Sequence, residues 1–462
     1  MKRKNMNLVE GNIWKQLILF ALPLAATSML QQLFNSADLL VVGQFANSNA
    51  LAAVGANGAI IHLLINLFVG LSGGTNVLVS TFIGQKNKEG IAKTIHTSIT
   101  FAVVSGVFLA IVGQFIAKPA LSIMGTPIEI MDMAVTYFRV YFAGMPFIML
   151  YNFVSSIYRS KGDTRTPLLI LLGAGILNVG LNLLFVIVFH MDVAGVAIAT
   201  VVSNGASAIV LLCLMAKDKG ELGFRLKDLG INWQIFKRML SIGIPGGLQG
   251  SMFSISNVII QSAMNSLGPI AIAANTVAQT YENFCFFFCG SFGQASLTFV
   301  GQNYGAGNFK RCREAARKAL VLGMCSALLM STIFCVFGKF WAGLYTTDPE
   351  VIRLACFRLT FATMFAFLNG TDQVFSGAMR VYGYTIMPAI ISCVCICGTR
   401  LGLIFTVFQS HPSFGLLTAM YPISWGLSNI FLFIAYFAIL KKVKAKMAKN
   451  EENVQVVQGG EA

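Results

Sequence analysis

The stretch MLSIGIPGGLQGSMFSISNVIIQSAMNSLGPIAIAANTVAQTY, residues 239–281, runs for 43 residues without a charged side chain. At a rise of about 1.5 Å per residue, some 20 apolar residues cross a bilayer. The run is long enough for two crossings, and Gly268-Pro269 divides it. Residues 39–85 form another uncharged run, divided near Asn47-Ser48-Asn49. Working outward from these runs, twelve spans are expected at 13–43, 51–83, 91–116, 131–158, 166–190, 193–215, 233–266, 270–303, 311–338, 351–380, 386–409 and 414–440. The fold class is therefore an all-α membrane protein.

Composition agrees. Of 462 residues, 56% are hydrophobic and 11% charged, against about 25% charged in soluble domains. Mean hydropathy is +0.72. The net charge of +15 sits in short Lys/Arg clusters between apolar stretches, the membrane pattern. No basic patch carries stacking aromatics in a polar setting, so nucleic acid is excluded as a partner. The start, Met1-Lys-Arg-Lys, looks like the basic region of a signal peptide, but no small-residue cleavage site follows. The first apolar stretch is read as a retained span.

Orientation follows from Lys and Arg. Three precede span 1, and clusters follow spans 2 (Lys86, Lys88, Lys93), 4 (Arg159, Lys161, Arg165), 6 (Lys217 to Arg238) and 8 (Lys310 to Lys318), with Arg380 after span 10 and five in the tail. Together these hold 26 of the 33 Lys and Arg, whereas Lys118 and Lys339 stand in the alternate connections. Both termini are expected in the cytoplasm, in a multi-pass protein of the inner (plasma) membrane.

The halves repeat. Arg159-Ser-Lys-Gly162-Asp-Thr164-Arg-Thr-Pro167 shares Arg, Gly, Thr and Pro with Arg380-Val-Tyr-Gly383-Tyr-Thr385-Ile-Met-Pro388, 221 residues on. Phe82-Ile-Gly84-Gln85 answers Phe299-Val-Gly301-Gln302 at 217, and Pro23 answers Pro245 at 222. Three coincidences at nearly one offset indicate duplication. Two such halves rocking about a central site are a transporter design. The expected division is an N-lobe at 1–215, a cytoplasmic linker at 216–232, a C-lobe at 233–440 and a disordered cytoplasmic tail at 441–462.

Three acids fall deep in spans: Asp38, Glu282 and Asp372. An acid there costs roughly 2.5–3.5 kcal/mol on insertion scales, which makes each a functional candidate. Gln31, Asn35 and Asp38 share one face of span 1; Asn178 and Asn182 lie one turn apart in span 5, as do Thr200 and Asn204 in span 6. Converging, these faces surround one carboxylate with oxygen ligands, a setting for a hard cation or a titrating proton. The alternative for Asn178, Asn182 and Thr200 is helix–helix hydrogen bonding.

Asn275, Gln279 and Glu282 form a stripe in span 8, and Gln249, Asn257, Gln261 and Asn265 a matching stripe in span 7. Together they are expected to wall a cavity. Glu282 is a candidate for binding a cationic substrate, for titration, or for pairing with an Arg such as Arg400. Asp372 stands with Asn369 and Gln373, two turns from Arg380, and Asn152 joins the cavity candidates. The ten cysteines, Cys393-x-Cys-x-Cys included, are read as small hydrophobes without disulfides or metal. The four histidines make no motif, and no ATP-binding loop, serine elbow or zinc motif appears. A membrane-embedded enzyme is therefore disfavoured.

These residues resemble the multidrug and toxic compound extrusion (MATE) family over nearly the whole chain. The resemblance is carried by Pro23 through Gln31-Gln32-Leu-Phe-Asn35-Ser-Ala-Asp38-Leu-Leu-Val-Val-Gly43-Gln44, by Leu51-Ala-Ala-Val-Gly55, by Arg159 to Pro167, by Asn178 to Asn182 with Gly195 to Thr200, and by Val300-Gly-Gln-Asn-Tyr-Gly-Ala-Gly307. It implies twelve helices in two pseudo-symmetric six-helix lobes forming a V. It also implies a monomeric antiporter, without cofactor, exporting small organic and often cationic amphipathic compounds by rocker-switch alternating access, driven by H+ or Na+. Asp38 matches the family's coupling aspartate, with Asn178, Asn182 and Thr200 around it, and a Na+ at Asp38 is the one metal implied. Some relatives have a second aspartate where this chain has Asn182. Others carry C-lobe acids in helices 7 and 10, where this chain has Gln249 and either Asn369 or Asp372. The same fold also serves flippases for lipid-linked saccharides, an alternative kept alive by Arg139, Arg353, Arg358 and Arg400.

Overall fold

The computed structural model describes residues 6–46, 48–218, 220 and 222–459. The basic start, Asn47 of the first loop and the last three tail residues lie outside them. Helices occupy all twelve expected places. They are α1 (Ile13–Phe45), α2 (Ser48–Gly84), α3 (Lys88–Ile123), α4 (Ile128–Ala143), α5 (Met145–Ser160), α6 (Arg165–Leu183), α7 (Asp192–Lys217), α8 (Trp233–Asn265), α9 (Pro269–Gly305), α10 (Phe309–Val336), the short α11 (Gly338–Gly343), α12 (Pro349–Arg358), α13 (Ala366–Val381), α14 (Ile386–Ser392), α15 (Thr399–Leu403) and α16 (Phe414–Gly459). Among the described residues, ten stretches, some joining consecutive helices, are long and apolar enough to cross a membrane. The pair α4 and α5, bent by 47° at Gly144, makes an eleventh. The helix α8, with 33 residues, is about 50 Å long; its Ser, Asn, Gln and Gly residues dilute its hydropathy.

Local chemistry sets the breaks. The Asn87 side chain accepts the Gly90 N–H at 2.8 Å and starts α3; Asn308 accepts the Arg311 N–H at 3.0 Å and starts α10. These caps satisfy amides that a helix start leaves open, and they sit at corresponding places in the two halves. Gly162 and Gly383, paired by the repeat, have φ of 93° and 90°, a region favouring glycine. The division at Gly268-Pro269 is as expected: Gly268 has φ 93° and Pro269 opens α9.

Among the described residues, four π-helical stretches were not expected: Leu184–Val188, Leu359–Thr363, Cys393–Gly398 and Ile404–Phe408. The tail also departs from expectation. The helix α16 continues to Gly459, so 441–459 is helical where disorder was expected. That stretch carries no Pro, and no Gly before Gly459; Lys, Glu, Ala and Met there are good helix formers.

The chain forms two compact units. One takes Leu22–Phe82 and Asn87–Ser251; the other takes Asn7–Ala21, Ile83–Lys86 and the chain from Met252 onward. The units are thus not the two halves of the repeat, because α1 and α8 each contribute to both. In the first unit the connection after α7 is tied down. Lys161 pairs with Asp218 at 3.1 Å, and Asp218 also accepts the Gly220 N–H at 2.9 Å. Partial burial pushes the Asp218 carboxyl up, but these two partners hold it below its ordinary value.

Candidate functional site

In α1, Asp38 lies fifteen residues beyond Pro23 and is 6% exposed. Asn182, at the end of α6, donates its amide to Asp38 Oδ1 at 2.5 Å, and Thr200 of α7 donates to Oδ2 at 3.0 Å. Asn178, one turn before Asn182, accepts from Asn182 at 3.3 Å and donates to the Thr200 hydroxyl at 3.4 Å. Sequence spacing brought these four residues together correctly, all within the first unit. Tyr137 and Tyr141 of α4, buried and stacked at 6.1 Å, lie within electrostatic reach of Asp38. Spacing alone did not flag them. Among the described residues no basic side chain pairs with Asp38. The π-helical stretch Leu184–Val188 starts two residues after Asn182, and such distortions recur at functional sites.

The other candidates near this face divide. Gln31 and Asn35 are exposed and stand outside the Asp38 network. Asn152 spends its amide on Ile148 O of its own helix at 2.8 Å, and Asn204 does the same with Thr200 O at 2.8 Å.

In the second unit, the α8 and α9 stripes meet as expected: the Asn275 amide donates to Gln261 Oε1 at 2.9 Å, and Gln261 to Asn265 at 2.9 Å. Gln279 and Asn257 are half-buried beside them. Gln249 is buried instead in the first unit, apart from the rest of its stripe. Glu282 pairs with Arg358 of α12 at 2.8 Å, not with Arg400. Arg400 of α15 bonds Asn257 Oδ1 at 3.0 Å and Ser424 at 3.0 Å. The Tyr421 ring lies against both guanidiniums, 4.6 Å from Arg358 and 4.4 Å from Arg400. Arg358 immediately precedes one π-helical stretch, and Arg400 lies between two.

Asp372 occupies a separate cage. Ser428 donates to it at 2.7 Å, Ser392 at 3.1 Å and Ser376 at 3.5 Å. It is 3% exposed, with Arg380 within electrostatic reach. Of the arginines that keep the flippase alternative alive, Arg139 bonds Gln114 O at 3.2 Å and Arg353 pairs with Glu350 at 2.6 Å, both in exposed settings.

Comparison with known proteins covers nearly the whole chain. The MatE family model matches residues 23–184 and again 245–406, so its two matches begin at the paired prolines. The chain is 27% identical to a probable multidrug resistance protein, YoeA, of Bacillus subtilis, over 94% of this chain and 95% of that one. It is 25% identical to the probable multidrug resistance protein NorM of Thermotoga maritima, over 88% of each. A crystal structure of a MATE transporter in complex with MaL6 superposes with a TM-score of 0.89 at 22% identity, covering 96% of this chain and all of that one. With the family model matched in both halves and the fold shared nearly end to end, this chain belongs to the MatE family of multi-pass membrane transporters.

Proposed function

We propose that this transporter is an antiporter of the plasma membrane, monomeric and with both termini in the cytoplasm, that exports small organic compounds in exchange for H+ or Na+. Asp38 is the coupling group. The observation that carries this reading is a buried carboxylate met by neutral donors and, among the described residues, by no cation. An unpaired buried charge costs several kcal/mol. Taking up a proton or a cation from outside removes that cost and lets the helices around Asp38 repack. For exchange, cation and substrate must favour different states of the protein. The lobes then rock inward, the cation leaves and substrate binds from the cytoplasmic side. The relatives named for multidrug resistance support organic compounds as cargo.

Dye efflux from cells, with Na+ and pH gradients imposed separately, tests the reading. Wild type follows one of the gradients. Asp38→Asn, expressed at the same level, falls to the rate of cells lacking the protein. Gradient-driven efflux surviving in that variant sinks the assignment. The flippase reading is favoured by one observation, the buried Arg358 and Arg400. It requires lipid-linked saccharide to cross proteoliposomes containing the protein.

A further inference from the structure

Arg358 and Arg400 are each 1% exposed, and not all of their N–H groups find partners. Arg358 spends one nitrogen on Glu282, leaving Nε and Nη1 without hydrogen-bond partners. Arg400 is held by Asn257, Ser424 and Ser256, leaving Nη2 without one. Trp425, whose ring lies 5.7 Å from Tyr421 and 6.0 Å from Arg400, leaves its buried Nε1 without an acceptor. Four N–H-bearing atoms around two aromatic rings thus make no hydrogen bond, and among the described residues the Tyr421 hydroxyl is the one further oxygen that interacts with Arg358. The charges point the same way. Glu282 is the one carboxylate among the described residues that interacts with these two guanidiniums, so the cluster carries one positive charge beyond its own compensation. Buried donors are normally satisfied, and guanidinium forks match carboxylate and phosphate oxygens.

The geometry points to an anion-accepting substrate site in the second unit, built by Arg358, Arg400, Tyr421 and Trp425 with Glu282 at its edge. It takes compounds that join a carboxylate or phosphate group to a flat apolar body. The anionic group fills the open donors and the Tyr421 and Trp425 rings hold the apolar part. At the edge of the cluster Glu282 keeps 11% of its side chain exposed and Asn257 is half-buried, so neither is sealed off as the two arginines are. This inference rests on the export reading and names its cargo: anionic or zwitterionic amphipaths, where the family resemblance alone implies mainly cationic ones.

A set of naphthalene probes tests it on the purified, detergent-solubilised protein, by calorimetry and without any gradient. The probes are 2-naphthoate, 2-naphthyl phosphate, the neutral 2-naphthamide and 2-naphthyltrimethylammonium. Wild type binds at least one of the two anionic probes about tenfold or more tighter than the neutral and cationic ones. Whichever binds tighter identifies the acid group. Arg400→Gln loses the preference, and Arg400→Lys, which keeps the charge, retains part of it. Equal binding of all four probes by wild type overturns the inference with no variant needed. So does a preference that survives Arg400→Gln. The same set run on Asp38→Asn separates the two proposals: an intact preference there with failed exchange touches only the coupling reading.

Discussion

Thr200 donates one hydroxyl to Asp38 and receives one amide from Asn178, so its oxygen is the hinge of the network. A hydrogen bond to a charged group is worth about 1.5–3 kcal/mol, and a buried acceptor left unpaired costs its desolvation. Thr200→Val keeps the shape and removes the donor. Efflux by that variant drops about tenfold or more, while Thr200→Ser restores it; a valine variant pumping at the wild-type rate ends the role given to this hydroxyl. The polar residues of this site were legible because Asn, Thr and Asp at i and i+4 spacing stand out in apolar spans. Depth was not legible: Gln31 and Asn35 share the stripe of Asp38 yet are exposed, because one helical face runs from core to edge. Partners distant in sequence were not legible either. Arg358 is 76 residues from Glu282, and the serines around Asp372 are too common in membrane helices to signal a cage. The four buried N–H atoms of the arginine cluster leave no sequence trace beyond two arginines in apolar surroundings.

At the scale of elements, α2 and α8 cross within the first unit on a glycine seam. A Cβ on Gly70 would stand 2.1 Å from Gly247 N, and one on Gly247 would stand 2.5 Å from Leu67 O. Gly74 faces Met239 O at 2.4 Å and Gly243 faces Leu71 Cα at 2.7 Å in the same sense. Small residues four apart let membrane helices approach this closely. Gly70-x-x-x-Gly74 and Gly243-x-x-x-Gly247 are a readable signal in the sequence, although prolines and polar stripes are the stronger ones in these spans. The π-helical stretches had no comparable signal, since a register change is set by packing rather than by one residue type. Gly247→Leu has no room, and its cost exceeds the roughly 1–3 kcal/mol of ordinary overpacking, so the detergent-solubilised variant melts well below wild type. Gly55→Ala is the control: a Cβ there meets nothing within 4 Å, and alanine favours a helix by up to about 1 kcal/mol. Equal melting of Gly247→Leu and wild type removes the seam as a structural constraint.

For the whole molecule, the basic connections gather at one end of each unit. In the first unit, Lys161 pairs with Asp218, the Arg225 N–H meets His96 at 3.2 Å and the Asn232 N–H meets Thr97 at 3.1 Å. These contacts bring the start of α3, the α5–α6 turn and the linker together. In the second unit, Arg311 reaches Gly11 O at 3.0 Å and the rings of Tyr304 and Tyr382 meet at 5.5 Å. There the N-terminal segment joins the α9–α10 and α13–α14 turns. The Lys and Arg clusters of the connections thus lie at these joined turns in each unit, with Lys118 and Lys339 as exceptions, and that side is expected to stay in the cytoplasm during insertion. Alkaline phosphatase fused after Gly125, in the charge-poor α3–α4 turn, is active. Fusions after Gly162 and after Gly307 are inactive, and fluorescent protein joined at the same points gives the reverse pattern. The result does not decide the direction of transport. The direction of an antiporter is set by the gradients and not by its orientation, so an active phosphatase at Gly162 would overturn the orientation expected from Lys and Arg while leaving the proposed exchange through Asp38 an export.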